Sequence, residues 1–231
     1  MSNQEGKPSS SAASPAGVSS GSVSGGVTLS GDEQGPRERI LQASLELFVE
    51  QGYFNTNVPD ISRLSRCSVG SIYHHFLNKE EIAGQLFKAG IQRFREALSQ
   101  VVDPDADLEK NIRAIVIAFL GFAESNYLLS QYLWLARHNE FLSAKVRHPT
   151  VVGFDELGRR LTKAIKNGIR SGEIPALKAE VFWSIVFGIP LSFMRDWLDG
   201  YTSSSPSAVA PTLADACWAA LQGTRKSVSG K

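Results

Sequence analysis

The 231-residue sequence has few of the residues that build disulfide frameworks, metal centres or membrane anchors. Its two cysteines, Cys67 and Cys217, stand 150 positions apart. This spacing excludes a clustered zinc set and fits a reducing compartment, so we expect a cytoplasmic protein. The longest apolar run, residues 181–194, is shorter than the roughly 20 residues that span a bilayer. It also contains Pro190, and we expect a buried helix there.

Catalytic motifs are also missing. We find no nucleophile elbow, no phosphate-binding glycine loop and no HExxH sequence, which disfavours an enzyme. Cys67, His74 and His75 have neither the spacing nor the fourth ligand of a zinc site. We therefore expect no catalytic residue, no metal and no cofactor. A redox role for Cys67 would require a lowered thiol pKa.

The sequence has no excess of charge of either sign. The net charge is +1, and residues 36–102 contain eight Lys or Arg and seven Asp or Glu. Because a nucleic-acid partner usually leaves a basic footprint, a DNA-binding hypothesis depends on where the charges lie. Three cations and one acid fall within residues 60–79, which is a modestly favourable placement.

Residues 1–35 are dominated by Ser, Gly, Ala and Pro and contain no aromatic residue, so we expect a disordered tail, with a second flexible tail at 226–231. Elsewhere apolar residues recur with the helical period and no segment shows strand alternation. The pattern predicts an all-α fold of about nine helices, at residues 37–51, 57–64, 68–76, 79–102, 108–125, 127–138, 152–171, 176–198 and 209–222.

The second and third predicted helices are separated by about three residues, Ser65, Arg66 and Cys67. A connection this short allows only a steep crossing, so the two helices form a helix-turn-helix, whose second helix enters a DNA major groove. On that helix the apolar side chains of Val69, Ile72 and Phe76 share one face. The opposite face carries polar and small residues, namely Gly70, Ser71 and His74, with Tyr73 at its margin.

Each residue of the polar face suits DNA contact in its own way. Ser71 can bond a base edge or a phosphate, and Gly70 allows the duplex to approach the backbone. Tyr73 and His74 can donate hydrogen bonds to phosphates. Helix caps at Thr56 or Asn57 and at Ser68 begin the two helices near the same DNA backbone, and Lys79 can add a point charge.

Residues 37–97 resemble the DNA-binding domain of the TetR-type (tetracycline-repressor-like) transcriptional regulators. The resemblance lies in "RERILQASLELFVEQGYFNTNVPDIS" and "CSVGSIYHHFLNKEE". The family has a first helix ending in Gly-Tyr, a Thr before the second helix, a Ser-x-Gly-(Ser/Thr)-(Leu/Ile)-Tyr recognition helix, and then His-Phe and Lys-Glu-Glu. It implies an α-helical dimer with a C-terminal ligand-binding and dimerisation domain, and operator binding that a small molecule releases.

Two positions depart from the family pattern. Arg66 stands where the family often has Gly, and a non-glycine residue with positive φ costs roughly 1 kcal/mol. Val69 stands where many relatives have Lys or another polar residue, so it can meet a thymine methyl where those relatives bond a phosphate or a base. The predicted DNA-binding residues are Thr56, Asn57, Ser68, Val69, Gly70, Ser71, Tyr73, His74 and Lys79.

The predicted domains follow from this division. The helix-turn-helix domain spans 36–82, or 97 with the start of the fourth helix, and the ligand-binding and dimerisation domain spans 98–225. Most aromatic residues of the second domain belong to its core, but pockets in helical bundles are built from such residues plus a few polar groups. The predicted residues for a mostly apolar or aromatic effector are Phe119, Phe122, Tyr127, Gln131, Trp134, His138 and Phe154.

The last two helices carry more apolar surface than a monomer leaves in water, which predicts an isologous two-fold dimer with a four-helix interface. The predicted interface residues are Phe182, Val186, Phe193, Leu213, Cys217 and Leu221. The sequence thus favours a dimeric regulator, usually a repressor, on a palindromic operator, with the fourth helix linking effector to DNA. An activator and a helical protein-interaction adaptor without DNA binding stay open as alternatives.

Overall fold

A computed structural model describes residues 35–147 and 156–223, and all regular structure in these ranges is helical. The all-α prediction is confirmed. The helices are α1 (Pro36–Glu50), α2 (Val58–Ser65), α3 (Val69–His75), α4 (Lys79–Val101), α5 (Leu108–Ser125), α6 (Tyr127–Leu135), α7 (Ala144–Arg147), α8 (Glu156–Ser171), α9 (Ala179–Leu198) and α10 (Pro206–Gly223), with a 3₁₀ turn at His138–Glu140.

The described ranges contain one helix more than the sequence pattern predicts, because the region after α6 is broken. Ala136 adopts extended backbone with ψ 141°, so α6 ends at Leu135 rather than continuing to residue 138. The 3₁₀ turn and the four-residue α7 follow. Both are shorter than the two helical turns that a hydrophobic period needs to be recognised.

Helices α1, α2 and α3 pack around one small core. Ile40 and Phe48 from α1 meet Ile61 from α2 and Ile72 from α3, all of them buried, and Phe76 closes the cluster after α3 ends. Because α2 and α3 are both short, most of their stability comes from this packing. The arrangement leaves the opposite side of α3 free.

Helix α4 belongs to both halves of the molecule. At 23 residues it is about 35 Å long. Near its start Ile82 and Leu86 are part of the core, and toward its end Phe94 and Leu98 are buried as well. It packs against α1 at one end and against α5 and α6 along its length, with α8 also in contact. The helix is therefore a continuous connection between the helix-turn-helix and the C-terminal bundle.

The C-terminal bundle is built on α5, which lies along α10 and also touches α8 and α9. Glycine allows a close approach here: a Cβ on Gly168 of α8 would lie 2.5 Å from the side chain of Leu108. Helix α9 has 20 residues and is long and apolar enough to cross a membrane, alone among the single described helices. Core helices of soluble proteins meet the same measure, and α9 packs here against α5, α6 and α10.

Candidate nucleic-acid interface and effector region

The turn between α2 and α3 is held in place by side chains that bond to its backbone. Arg66 adopts the left-handed conformation, with φ 55° and ψ 32°, and ends α2. The Ser62 hydroxyl donates to the carbonyl of Cys67 at 2.6 Å, and the Cys67 amide donates back to the Ser62 carbonyl at 3.2 Å. Arg66 thus takes the conformation that its place in the turn requires, despite its Cβ.

Helix α1 holds the same turn from the other side. The Arg39 Nε donates to the carbonyl of Ser65 at 3.3 Å, and an Arg39 guanidinium nitrogen lies 3.6 Å from the Cys67 sulfur. Cys67 is buried and packs as a small apolar group. The angle between α2 and α3 is therefore fixed by directional bonds as well as by the core.

The outward face of α3 is exposed, as the pattern predicts. Gly70 and His74 are exposed, Tyr73 is 54% exposed, and Ser71 is half-buried. Val69 differs from the prediction that it faces inward: it is 40% exposed, because it is the first residue of a seven-residue helix and only Ile72 and Phe76 reach the core. Val69 consequently lies on the exposed side, where an apolar contact to DNA is possible.

The caps of the two helices form at exposed residues. The Asn57 side-chain oxygen accepts from the Asp60 amide at 2.9 Å, and the Ser68 hydroxyl oxygen accepts from the Ser71 amide at 3.0 Å. Each cap satisfies an amide that the helix itself leaves unpaired. Asn57 is the cap of α2, which resolves the choice between Thr56 and Asn57.

Thr56 and Lys79 do not take the places predicted for them, and we correct both assignments. Thr56 is 1% exposed, and its hydroxyl donates to the Gly52 carbonyl at 2.9 Å. The Lys79 Nζ donates to the carbonyls of Tyr53 and Thr56 at 2.7 and 2.6 Å and lies over the Tyr53 ring. Both side chains satisfy carbonyls of the α1–α2 loop, which need donors because no helix pairs them.

Burial has an electrostatic consequence at this loop. Partial desolvation lowers the pKa of Lys79, since the charged ammonium loses water. The three oxygen and ring contacts offset that loss. A side chain held this way braces the loop.

The start of α4 is capped reciprocally next to α3. The Asn78 side chain accepts from the Glu81 amide at 2.8 Å, and a Glu81 carboxylate oxygen accepts from the Leu77 amide at 2.7 Å. This is a variant of the capping box in which the Glu81 side chain reaches the amide one residue before the cap. It keeps the end of α3 and the start of α4 in a defined relation.

Arg66 is a candidate DNA-contacting residue that sequence reasoning noted only as a departure. Its side chain is exposed beside the first turn of α3 and makes no ion pair with any residue in the described ranges. By contrast, the nearby Arg63 pairs with Asp60 at 2.8 Å. The sequence signal for such a contact is an arginine at a position where the TetR-type family often has glycine.

A comparison with known families agrees with this geometry. Residues 40–86 match the model for "Bacterial regulatory proteins, tetR family". Residues 40–86 are the DNA-binding domain of a TetR-type transcriptional regulator. Its DNA-binding function and its helix-turn-helix are those of this family.

Relatives cover most of the regulator. The Fatty acid metabolism regulator protein of Bacillus subtilis is 24% identical over 69% of this chain and 82% of its own length. The structure of the TetR family regulator PfmR from Thermus thermophilus has a TM-score of 0.64 at 24% identity, covering 80% of this chain and 96% of PfmR. FadR from Bacillus subtilis, solved with stearoyl-CoA, has a TM-score of 0.58 at 20% identity, covering 78% and 96%.

The residues predicted for the effector pocket do not come together at one site in the regulator. Phe119, Phe122 and Trp134 pack around Phe94 of α4 with ring centroids 5.3–5.4 Å from it, Phe122 and Trp134 edge-to-face and Phe119 tilted. They form what we call the aromatic cluster, which also includes Phe187 of α9. Phe154 lies outside the described residues.

The other predicted pocket residues lie in two further places, so the expectation that all of these residues line one pocket is wrong. Tyr127 and Gln131 both donate to the carbonyl of Leu198 at the end of α9, at 3.2 and 3.4 Å. The His138 ring is buried beside Phe87 and Tyr132, near the helix-turn-helix. The segment divides in this way because α6 stops at Leu135 and the chain turns before His138.

The predicted dimer residues require a similar correction. Val186, Cys217 and Leu221 are 0% exposed within the single chain, and Phe182 is also buried. Because all four side chains are buried within the chain itself, they add no surface for a second copy. Phe193 and Leu213 are half-buried at the edge of the same core.

The outward faces of α9 and α10 instead carry small and apolar residues. We call them the outer face, and its members are Val181, Ser184, Gly188 and Ser192 on α9 and Ala208, Thr212, Ala216 and Ala219 on α10. None of these eight residues is charged; the exposed Arg195, which follows one turn after Ser192 on the same side of α9, donates to the Trp134 carbonyl at 3.2 Å. In the described ranges no group of three or more His, Cys, Asp or Glu side chains could hold a metal ion.

Proposed function

We propose that the regulator is a dimeric repressor that binds a palindromic operator and is released by a mostly apolar small molecule. The observation that supports DNA reading most strongly is the exposed face of α3 on a turn fixed by Arg39 and Ser62. The division into a helix-turn-helix domain (36–82, or 97 with the start of α4) and a ligand-binding and dimerisation domain (98–225) belongs to the same proposal.

The proposed DNA contacts come from the exposed residues of α2, the turn and α3. Gly70 allows close approach, Val69 meets a thymine methyl, and Tyr73 and His74 donate to phosphates. Arg66 adds a phosphate contact from the turn. The complete proposed set is Asn57, Ser68, Val69, Gly70, Ser71, Tyr73 and His74, with Arg66, whereas Thr56 and Lys79 hold the loop that positions them.

Dimerisation is proposed through the outer face of α9 and α10. Small residues let two helix pairs approach closely, and an uncharged face loses little by leaving water. Two copies related by a two-fold axis present two recognition helices to major grooves about 34 Å apart, which requires a palindromic operator.

An apolar effector is proposed from the interior of the second domain. No Asp, Glu, Lys or Arg of the described ranges is buried, and the buried polar residues there are Asn111, Ser130 and His138. A charged interior ligand would lack the partners that such a site needs. The similarity to a fatty acid metabolism regulator and to FadR solved with stearoyl-CoA, both from Bacillus subtilis, supports a ligand with a long apolar chain.

Coupling is proposed to pass along α4. Phe94 sits in the aromatic cluster, and the Tyr132 hydroxyl of α6 donates to the Ala83 carbonyl of α4 at 2.8 Å. An effector that favours one arrangement of the cluster therefore shifts α4 relative to α6, and with it the spacing of the recognition helices. Such coupling requires a difference in effector affinity between the two states.

Selection of bound sequences from random DNA duplexes tests the central proposal. We expect one palindrome with half-sites about one helical turn apart. The matched variants are Gly70→Leu and Gly121→Leu: a Cβ at Gly121 meets nothing within 4 Å, and one at Gly70 meets only the Ser68 hydroxyl at 3.8 Å, so both variants should fold. Gly70→Leu should enrich no sequence, whereas Gly121→Leu should enrich the same palindrome as the wild type.

Other results would change the assignment. Enrichment of no sequence would favour the helical adaptor instead. A promoter overlapping the selected palindrome should be less active with the regulator present, and higher activity would indicate an activator.

Sedimentation tests the outer face. A Cβ at Gly188 also meets nothing within 4 Å, so Gly188→Leu should leave the protomer folded and yield a monomer at micromolar concentration. Gly121→Leu serves again as the control and should sediment as a dimer. A dimeric Gly188→Leu would place the interface elsewhere.

A further inference from the structure

A groove between α8 and α9 opens to the surface apart from the DNA-binding face and the aromatic cluster. Its cavity is about 240 Å³, far above the roughly 10–15 Å³ that one buried water needs. The apolar lining residues are Ile165, Ile169, Ile174, Leu177, Phe182 and Trp183. A space of this size and lining fits an alkyl chain of roughly eight to ten carbons.

The polar groups of the groove lie together at its α8 edge. Thr162 and Lys166 are four residues apart on one face of α8, and both line the groove. Lys166 is exposed and makes no ion pair with a residue of the described ranges. Elsewhere on α8, Lys163 pairs with Asp105 at 2.7 Å and Arg160 donates to the Ser99 carbonyl.

Neither of the two described acids beside the groove, Glu173 and Glu180, makes an ion pair with Lys166. Glu173 is occupied, since its carboxylate accepts from the Leu108 amide at 3.1 Å and from the Ser171 hydroxyl at 2.8 Å. Glu180 is exposed on the first turn of α9, next to the groove-lining Ala179. A ligand carboxylate is thus the complement that the Lys166 ammonium does not find among the described residues.

The groove is also distinct from the surface proposed for dimerisation. Trp183 and Gly188 are five residues apart, which places them roughly 140° apart around α9. Phe182 and Trp183 face α8 and the interior, whereas Gly188 faces outward. A partner seated on the outer face therefore leaves the groove open.

The groove connects to α4 through three ring contacts. Trp183 stacks on Phe187 with centroids 5.5 Å apart and planes at 22°. Phe187 in turn meets Phe119 at 5.5 Å and Phe94 of α4 at 6.2 Å. A chain that displaces Trp183 thus acts on the aromatic cluster.

We infer that this groove is an effector site for a single-chain alkyl carboxylate, with the chain against Trp183 and the carboxylate on Lys166. The inference rests on the proposed function, because it names the effector class and its place. The Thr162 hydroxyl donates the second hydrogen bond to the carboxylate.

Calorimetric titration of the full-length chain with decanoate and with 1-decanol tests the site. Lys166→Gln should weaken decanoate binding several-fold, as expected for an exposed ion pair, and leave decanol binding unchanged. Lys163→Gln removes the same charge from the same helix outside the groove lining and should change neither. Thr162→Trp fills the groove from an exposed position and should weaken both ligands at least tenfold.

Each contrary result is decisive. Absence of decanoate binding, or equal binding by Thr162→Trp, overturns the site. A monomeric Thr162→Trp variant that melts like the wild type also overturns it, because the groove would then belong to the contact between copies. If decanoate binds through Lys166 but does not change operator affinity, the site is supported. The proposed release of the operator by an effector would then be wrong.

Discussion

The turn between α2 and α3 and the aromatic cluster are held by different kinds of interaction. At the turn, side chains such as Arg39 and Ser62 bond to backbone carbonyls at defined distances. In the aromatic cluster, rings of four helices meet edge-to-face or tilted, with few hydrogen bonds between them. Hydrogen bonds fix direction, whereas ring packing tolerates sliding at modest cost. The DNA-reading end is thus specified more rigidly than the end proposed to respond to ligands.

Replacing Phe94 with Ala tests the packed region and should have the largest effect. Phe94 is buried and touches Phe119, Phe122, Trp134 and Phe187. We expect a loss of about 4 kcal/mol in the free energy of unfolding, since truncation removes contacts and leaves a cavity. Urea denaturation measures the loss, and Phe94→Leu should cost less than half as much. A loss below about 1 kcal/mol would mean that the cluster contributes little to the fold.

The thiol between α9 and α10 makes the packed region sensitive to alkaline pH. Burial raises the pKa of Cys217 from its ordinary 9.0 to about 11. Between these values the unfolded thiol has lost its proton and the folded one retains it, so stability falls as pH rises. The expected loss is about 2 kcal/mol from pH 9 to pH 11. Denaturation of the wild type and of Cys217→Ala across this range isolates the difference, and parallel curves would contradict the expectation.

Replacing Thr56 with Val tests the hydrogen-bonded region at nearly constant volume. The variant leaves the Gly52 carbonyl without its hydroxyl donor in a buried place. The expected cost is about 1–2 kcal/mol of unfolding free energy, because an unpaired buried acceptor is penalised. Thr56→Ser keeps the donor and should lose less. Operator affinity should fall in the Val variant, since the loop leads into the Asn57 cap, and an unchanged affinity would show that the loop does not position α2.

The smallest effect is expected at Arg66, where stability and DNA binding should change in opposite directions. Arg66→Gly removes the Cβ from a left-handed residue and should raise the free energy of unfolding by about 0.5–1 kcal/mol. It also removes the proposed phosphate contact, so operator affinity should fall several-fold. Arg66→Ala keeps the strain and should lose the affinity without the increase in stability. Denaturation and DNA-binding titrations on the three proteins decide this.

The helix-turn-helix could be predicted almost completely from the sequence because its signals are local. Caps such as Asn57 and Ser68, and core positions such as Ile72 and Phe76, depend on residues within one or two turns. The sequence does not predict the loop contacts of Thr56 and Lys79, because their carbonyl partners lie up to 26 residues away along the chain. The pattern predicts that Val69 faces inward, but Val69 is the first residue of a seven-residue helix, and only the later residues of that helix reach the core.

The sequence predicts that the second domain is helical, but it does not predict which side chains the helices bury against one another. Apolar periodicity identified α9 and α10 as rich in apolar surface, yet it did not say which part would be covered by the chain itself. The pattern predicts Val186 and Cys217 at a dimer interface, but both side chains are fully buried between these helices. That choice depends on the crossing of α5, α9 and α10, which no single helix encodes. The groove at Lys166 was missed for the same reason, since its two walls come from different helices.

The Asp60–Arg63 ion pair has a consequence for how the regulator finds its operator. Residues 36–82 hold five cations and six acids; Arg63 is neutralised by Asp60, and Lys79 is engaged with carbonyls. Few condensed counterions are therefore displaced when this domain meets an arbitrary stretch of duplex. We therefore expect brief residence on unrelated genomic DNA, with discrimination between sites resting on base edges and on the spacing of the two proposed half-sites.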